Sequence, residues 1–237
     1  MVTPARKRQP TVTLVDQDLA GGSLKAKQPG SRDFRGWEFQ GCNFEAADLT
    51  RLDFTEASFT GCKMAGSSLR GSCIAETHWK GVQAAKADLV SCDAAAAQFE
   101  TCNFSNCDWS RAKLGHAVFA GCKLTGGNLS EVMNLGISFR QCALNHANLR
   151  GFSFRKAVLD GIDFTEADLT GADFREAQFR DCNLLGATLR QAKLQGADLR
   201  GAQLGQLSLA DIAILKSAII SRAQAGAIVS ALGIVVM

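Results

Sequence analysis

Between residues 177 and 204 the chain reads AQFRDCNLLGATLRQAKLQGADLRGAQL, and a large apolar side chain recurs at every fifth position: Phe179, Leu184, Leu189, Leu194, Leu199 and Leu204. Neither regular element has that period. On a helix, five residues turn the series through about 140° per step, so the leucines scatter around the cylinder. In a continuous strand an odd spacing throws alternate members onto opposite faces. The backbone must therefore turn a corner inside each unit. Corners near 90° close four units into a coil of about twenty residues, with every fifth side chain pointing at the axis and burial supplied by stacking coil on coil.

The phase runs unbroken from position 34 to position 219, giving 38 central positions of which 35 carry Leu, Ile, Met, Phe or Trp; the exceptions are Ala84, Ala94 and Asn134. A small residue usually stands two places before each. Eight of the nine cysteines occupy that slot, and Cys42, Cys62, Cys102, Cys122, Cys142 and Cys182 are separated by multiples of twenty, with Val82 and Ile162 completing the column. Phe39, Phe59, Trp79, Phe99, Phe119, Phe139, Leu159 and Phe179 form a second column of the same period. Coils stacked at about 4.8 Å would bring those rings within offset-stacking range. The reading is one elongated all-β domain, a four-sided β-helix about 45 Å long at the sheet spacing. Asn134 is the sole polar central residue. Burying its amide unpaired would cost about 1–3 kcal/mol, so it must either bond neighbouring backbone or bulge the coil over residues 131–137, which makes Asn134 and Leu135 an expected irregular coil.

The ends depart from the repeat. Residues 1–10, MVTPARKRQP, read as a disordered basic tail. Residues 11–31 read as an irregular coil or cap, because Leu14, Leu19 and Leu24 keep the phase but Lys27 and Pro29 then fall on inward slots. Trp37, where a small residue is usual, would plug the open end that a solenoid must protect. The β-helix is assigned to residues 32–221, and residues 222–237 to a helix and strand tail: Ile228, Val229 and Leu232 lie at helical spacing, then Gly233 stops the helix before the β-branched run 234–236.

Charge alters this picture little. With 26 bases and 23 acids the formal charge is +3, but residues 1–36 hold seven of the bases and three of the acids, leaving a near-neutral body. Direct nucleic-acid binding is not expected, and the basic head reads as a solvated tail. No signal peptide is apparent, and the apolar run 225–237 is too short to span a bilayer, so a cytoplasmic protein without a membrane partner is expected. The cysteines read as small buried hydrophobes; with no CxxC and only a lone C-x3-H at Cys142 and His146, no metal or cofactor is expected. His78, His116 and His146 lie in different coils, and no carboxylate or nucleophile stands out as their partner, so the chain is not read as an enzyme.

ADLTG at 167 and ADLRG at 197 match the unit of the pentapeptide-repeat family, which the sequence resembles over almost its whole length. The resemblance implies a right-handed quadrilateral β-helix. Two stretches are similar to the Qnr-type quinolone-resistance proteins of that family: residues 122–154, including the out-of-pattern LGI at Leu135, Gly136 and Ile137, and the tail QAGAIVSALGIVV at 224–236. This implies a homodimer through the C-terminus, centred on Ile228, Leu232, Ile234 and Val236, that binds DNA gyrase or topoisomerase IV and protects it from poisons by imitating duplex DNA. The acids to do so are Asp53, Glu56, Glu76 and Asp93, which fall on one face of successive coils; Lys113, Arg155, Lys156 and Lys193 follow on the same face. The unbroken phase leaves no room for the projecting loops of many Qnr-type proteins. The alternative is a structural rod docking some other protein through an outward face, where Val118, Val158, Leu135 and Leu185 stand.

Overall fold

The computed structural model describes residues 12–22, 24, 31–205, 209–231 and 233–235 of the 237-residue chain. Each five-residue unit is built alike. Its central side chain points inward, and every central residue from 34 to 204 is buried except Asn134. The Asp or Asn just before the centre folds back onto the chain: Asp48 Oδ1 accepts from the Thr50 N–H at 3.0 Å, and Asp168 Oδ1 from the Thr170 N–H at 3.0 Å. This Asx turn is why the slot favours those residues. Two places after the centre the backbone swings to positive φ, 65° at Gly81 but also 53° at Ala46 and 62° at Lys86. There it makes the corner, as where the Ala47 N–H donates to the Phe44 carbonyl at 3.0 Å. A turn of this kind needs φ above zero at its third residue.

Four units make a coil, and the walls are numbered one to four here by their first central residues, Phe34, Phe39, Phe44 and Leu49. Wall two is a parallel nine-stranded sheet in chain order: β1 (Thr13–Val15), β2 (Glu38–Gln40), β3 (Ser58–Thr60), β4 (His78–Lys80), β5 (Gln98–Glu100), β6 (Val118–Ala120), β7 (Ser138–Arg140), β8 (Val158–Asp160) and β9 (Gln178–Arg180). From β2 onward each residue pairs with the one twenty places later, as in Phe39↔Phe59 and Phe99↔Phe119, and single bridges such as Asp48↔Ser68 repeat the register on the other walls. The result is a right-handed quadrilateral β-helix.

Its core is a set of ladders. Phe39 stacks on Phe59 with centroids 4.9 Å apart, and Phe99 on Phe119 at 4.5 Å. The coil containing Ala84 and Ala94 also contains Trp79, so volume lost at two central positions is restored at a third, as close packing requires. The cysteine column has its own chemistry: Sγ of Cys62, Cys122, Cys142 and Cys182 each lies 3.4 Å from the carbonyl of the wall-two central residue one coil earlier. A thiol fills a small inward slot while supplying a weak donor, which alanine cannot do. All nine cysteines are free thiols.

The ends correct two expectations. β1 pairs with β2 at an offset of 25, Thr13 against Glu38, so backbone ahead of Trp37 forms the terminal strand. Trp37 therefore does not plug the open end; it packs edge-on against Phe34 at 5.0 Å. The unbroken phase fails after Gly205. After β10 (Cys182–Asn183) and β11 (Ala202–Gln203), helix α1 (Leu209–Ile214) replaces the repeat, and the chain rejoins the last coil as Asp198↔Ile219, an offset of 21. Position 219 is thereby rotated outward, 48% exposed, and Ile220 packs on the core instead. Helix α2 (Arg222–Ala231) follows. Among the described residues of the tail, Ile234 and Val235 continue beyond Gly233 without a ladder partner. The expected tail at 1–10, Lys27, Pro29, Leu232 and Val236 lie outside the described residues.

Candidate partner-binding surfaces

Wall one gathers the acids on successive coils, the bridges Asp33↔Asp53, Asp53↔Cys73 and Cys73↔Asp93 stacking them in register. Their surroundings differ. Asp53 accepts from the Thr55 N–H at 3.0 Å and the Thr55 hydroxyl at 2.6 Å, with Arg35 Nε 3.7 Å away. Asp93 caps Ala95 and pairs with Lys113 Nζ at 3.0 Å, an interaction that raises the lysine pKa. Arg35 also grips Asp33 with two bonds of 2.9 and 2.6 Å, and this hydrogen bonding holds the Asp33 carboxyl below its ordinary pKa. Glu56 and Glu76 instead occupy the positive-φ corners and are exposed. Beyond Asp93 the wall changes sign, and Arg155 and Lys156 share Glu176 at 3.4 and 3.6 Å.

Further along, the ladder splits. The twenty-residue register calls for Asn134 N–H to Ser153 C=O, Gly136 N–H to Arg155 C=O and Val158 N–H to Ile137 C=O, none of which forms. One coil earlier the equivalents Leu114 to Met133 and His116 to Leu135 measure 2.8 and 2.9 Å, and one coil later Phe154 to Asp173 measures 2.8 Å. The bonds Glu131 N–H to Arg150 C=O and Ser153 N–H to Val132 C=O are missing too, and β7 keeps one residue pair with β8, Arg140↔Asp160, where neighbouring strands keep three. Asn134 is swung out of the core, and its Nδ2 donates to the Ser153 carbonyl at 3.2 Å in place of its backbone. Phe152 takes the vacated interior, an aromatic ring in a small-residue slot that lies 4.6 Å from Phe154 and 6.0 Å from Phe139. A cleft of about 530 Å³ opens between residues 134–137 and 153–157. Around it stand exposed apolar side chains: Leu135 at 81%, Met133 at 64% and Val158 at 48%.

At the C-terminus, α2 has no buried residue, and Ile228 is half-buried while Ile234 is exposed. The helix is fixed at its start by a reciprocal cap, Gln224 N–H to Ser221 Oγ at 3.1 Å and Ser221 N–H to Gln224 Oε1 at 2.7 Å.

No three His, Cys, Asp or Glu side chains group as metal ligands among the described residues. His146 does have a carboxylate neighbour that the sequence reading overlooked: Glu166, twenty residues later and so one coil below, lies 3.2 Å from Nδ1, with both side chains more than half exposed. No described helix is long and apolar enough to cross a membrane.

The family described as Pentapeptide repeat region matches residues 135–214, and that described as Pentapeptide repeats (8 copies) matches residues 38–74 and 97–132, together more than half of the chain. No curated protein matches in sequence. Among solved structures, QnrB1, a plasmid-mediated fluoroquinolone resistance protein, is similar with a TM-score of 0.65 and 18% identity over 94% of this chain and 100% of that one. HetL, a pentapeptide repeat protein involved in heterocyst differentiation regulation in the cyanobacterium Nostoc sp. strain PCC 7120, is similar with a TM-score of 0.51 and 27% identity over 80% of this chain and 86% of that one. Repeat geometry, register and family matches agree: the chain belongs to the pentapeptide-repeat family.

Proposed function

We propose that this chain is a non-enzymatic cytoplasmic rod that binds a type II topoisomerase, DNA gyrase or topoisomerase IV, and protects it from quinolones or related poisons by presenting carboxylates in place of duplex phosphates. The observation that carries this reading is the shared wall. Asp53 and Glu56 share one coil, and Glu76 and Asp93 stand on the next two, so the four carboxylates line one wall of three coils stacked at about 4.8 Å. The likeness of fold to a fluoroquinolone resistance protein supports it. In this reading α2 and residues 232–237 pair two copies end to end, through Ile228, Leu232, Ile234 and Val236, into a rod about 90 Å long by the same spacing.

Because Thr55, Arg35 and Lys113 already engage Asp53 and Asp93, the exposed Glu56 and Glu76 carry most of the attraction. Supercoiling by purified gyrase, with and without a quinolone, tests the whole. The protein should restore supercoiling in the presence of the drug. Glu56→Lys with Glu76→Lys should weaken gyrase binding and flatten its salt dependence more than the paired aspartate reversals do. Failure of the intact protein to bind either topoisomerase at low salt would remove this reading. A chain ending at Ser221 should sediment as a monomer or aggregate; a clean dimer would take the tail out of the interface. The second reading, a rod docking a different protein, is favoured by the apolar side chains around the cleft at Asn134.

A further inference from the structure

The split ladder leaves two strand edges facing one another across an open cleft, each with unanswered backbone groups. The N–H groups of Asn134, Gly136 and Val158 and the carbonyls of Ile137 and Arg155 have lost the partners that every neighbouring coil provides. Unpaired backbone polar groups cost free energy away from water, and they are satisfied by whatever offers donors and acceptors at strand spacing. Leu135 and Ile137 line the same cleft together with Arg155 and Lys156, and the exposed Met133 and Val158 adjoin its lining in sequence. Exposed large apolar side chains gathered about one cleft, Met133 and Leu135 on one side and Val158 on the other, mark an interaction surface more than scattered ones do. Its volume is about 530 Å³, room for a chain segment to lie along it and not a closed pocket. Donors and acceptors alternating along an edge, with apolar side chains beside them, are the complement of one class of molecule.

We infer that the cleft between residues 134–137 and 153–157 is a docking site for an extended segment of a partner protein, apolar at alternate residues, whose backbone takes up the donors and acceptors that the broken ladder leaves unpaired. This is strand addition, in which main-chain bonds give affinity and alternate side chains give selectivity. It uses a stretch of the rod separate from the Asp53 to Asp93 acids and holds whether or not a topoisomerase is the partner. The cause of the opening is local. Asn134 will not stay among apolar side chains, so it leaves the axis and props the two coils apart with its own side-chain bond to Ser153.

The test uses the full chain and a defined probe: a dye-labelled, capped peptide of alternating valine and threonine with an aspartate at each end for solubility. Fluorescence anisotropy should show saturable binding, and hydrogen exchange should show the Asn134, Gly136 and Val158 amides slowing about ten-fold or more when the peptide is added. Leu135→Asp should weaken binding about ten-fold or more, whereas Gln83→Asp, the same introduced charge on the opposite wall, should leave it unchanged. Asn134→Leu, which returns an apolar residue to the axis and draws the coils together, should abolish binding; if that variant does not fold, Leu135→Asp decides alone. The inference is overturned if the intact protein does not bind the peptide, if Leu135→Asp binds as tightly, or if the three amides are already protected in the free protein. It is equally overturned if the single unit N-acetyl-valine amide gives the same protection, since the cleft would then take a small amide and not an extended segment.

Discussion

Gln224 Nε2 donates to the carbonyl of Leu199 at 2.7 Å, and the same amide reaches the Ala202 carbonyl at 2.8 Å. One side chain thus closes the exposed edge of the last coil and, through Ser221, caps the helix that follows. Gln224→Ala leaves the Ala202 carbonyl and a helix start unsatisfied, while the Leu199 carbonyl keeps the Ala202 N–H at 2.9 Å, and should cost about 1–3 kcal/mol, confined to the C-terminal end. Hydrogen exchange should show α2 losing protection while the wall-two amides of β3 to β6 keep theirs; equal loss throughout would refute a local role. Gln224→Glu should be worse than alanine, because a carboxylate faces two carbonyl oxygens.

Some buried polar side chains of the core are satisfied, Ser72 and Thr77 among them, while Ser67 Oγ and Trp109 Nε1 have no partner among the described residues. Thr77 Oγ1 donates to the Ile74 carbonyl at 2.6 Å and accepts from Trp79 Nε1 at 2.8 Å. Ser67 Oγ is fully buried with no partner. Thr77→Val should therefore destabilise by about 1–3 kcal/mol by orphaning the indole N–H, and Ser67→Ala should be neutral or stabilising. Urea denaturation of the two variants checks the opposite signs; a destabilised Ser67→Ala would mean that its hydroxyl has a bonded water.

The repeat itself could be read from the chain because period-five burial admits no other backbone, and the ladders of Cys and Phe fixed the coil at twenty residues. What the reading missed lies at the small slots, not the central ones. Ile137, Phe152 and Ile212 each put a bulky residue where Ala or Cys is usual and stand where the regular coil fails, but Leu52 and Ile162 do the same in regular coils, so the slot alone does not announce a break. Asn134 announced a defect, yet only coordinates show that Phe152 fills the space it leaves. The C-terminal phase slip was hidden for a different reason: Leu209, Ile214 and Ile219 keep the period of five, although the first two fall within α1 and the third in a bridge to Asp198. The pairing of Asp53 with Arg35 and of Asp93 with Lys113 joins residues eighteen and twenty apart on adjacent coils, and His146 and Glu166, twenty apart, were equally deducible by that arithmetic.

The corners hold strain that glycine avoids. A Cβ built on Gly81 meets nothing within 4 Å, so Gly81→Ala isolates the cost of a left-handed φ of 65° for an L side chain. That cost should be about 1–2 kcal/mol. Lys86, at φ 62°, already bears it, and Lys86→Gly should gain stability by less than about 1 kcal/mol, the relief being offset by glycine's greater chain entropy. Denaturation midpoints that move the wrong way in both variants would show that something other than backbone conformation governs these corners.

The thiol ladder makes the fold sensitive to alkali. Burial drives the Cys62 thiol up to about 12, and the Cys107 thiol likewise to about 12. In the unfolded chain a cysteine ionises near pH 8.5. Below that value both states hold the proton and the stability is fully present. Above it only the unfolded chain releases the proton, so stability falls progressively until the pH reaches the folded pKa values near 12. The urea midpoint should therefore decline from pH 8 to pH 11, and Cys62→Ala with Cys107→Ala should flatten the decline while each costs roughly 1–2 kcal/mol at neutral pH for the lost packing. An alkylating reagent at pH 8 should reach Cys73, the partly exposed thiol near Thr55, and spare the buried eight until denaturant is added. A slope unchanged by the two substitutions would assign the alkaline loss to the lysines and arginines of the outer walls; rapid native labelling of Cys62 or Cys107 would show that the coils open around the ladder.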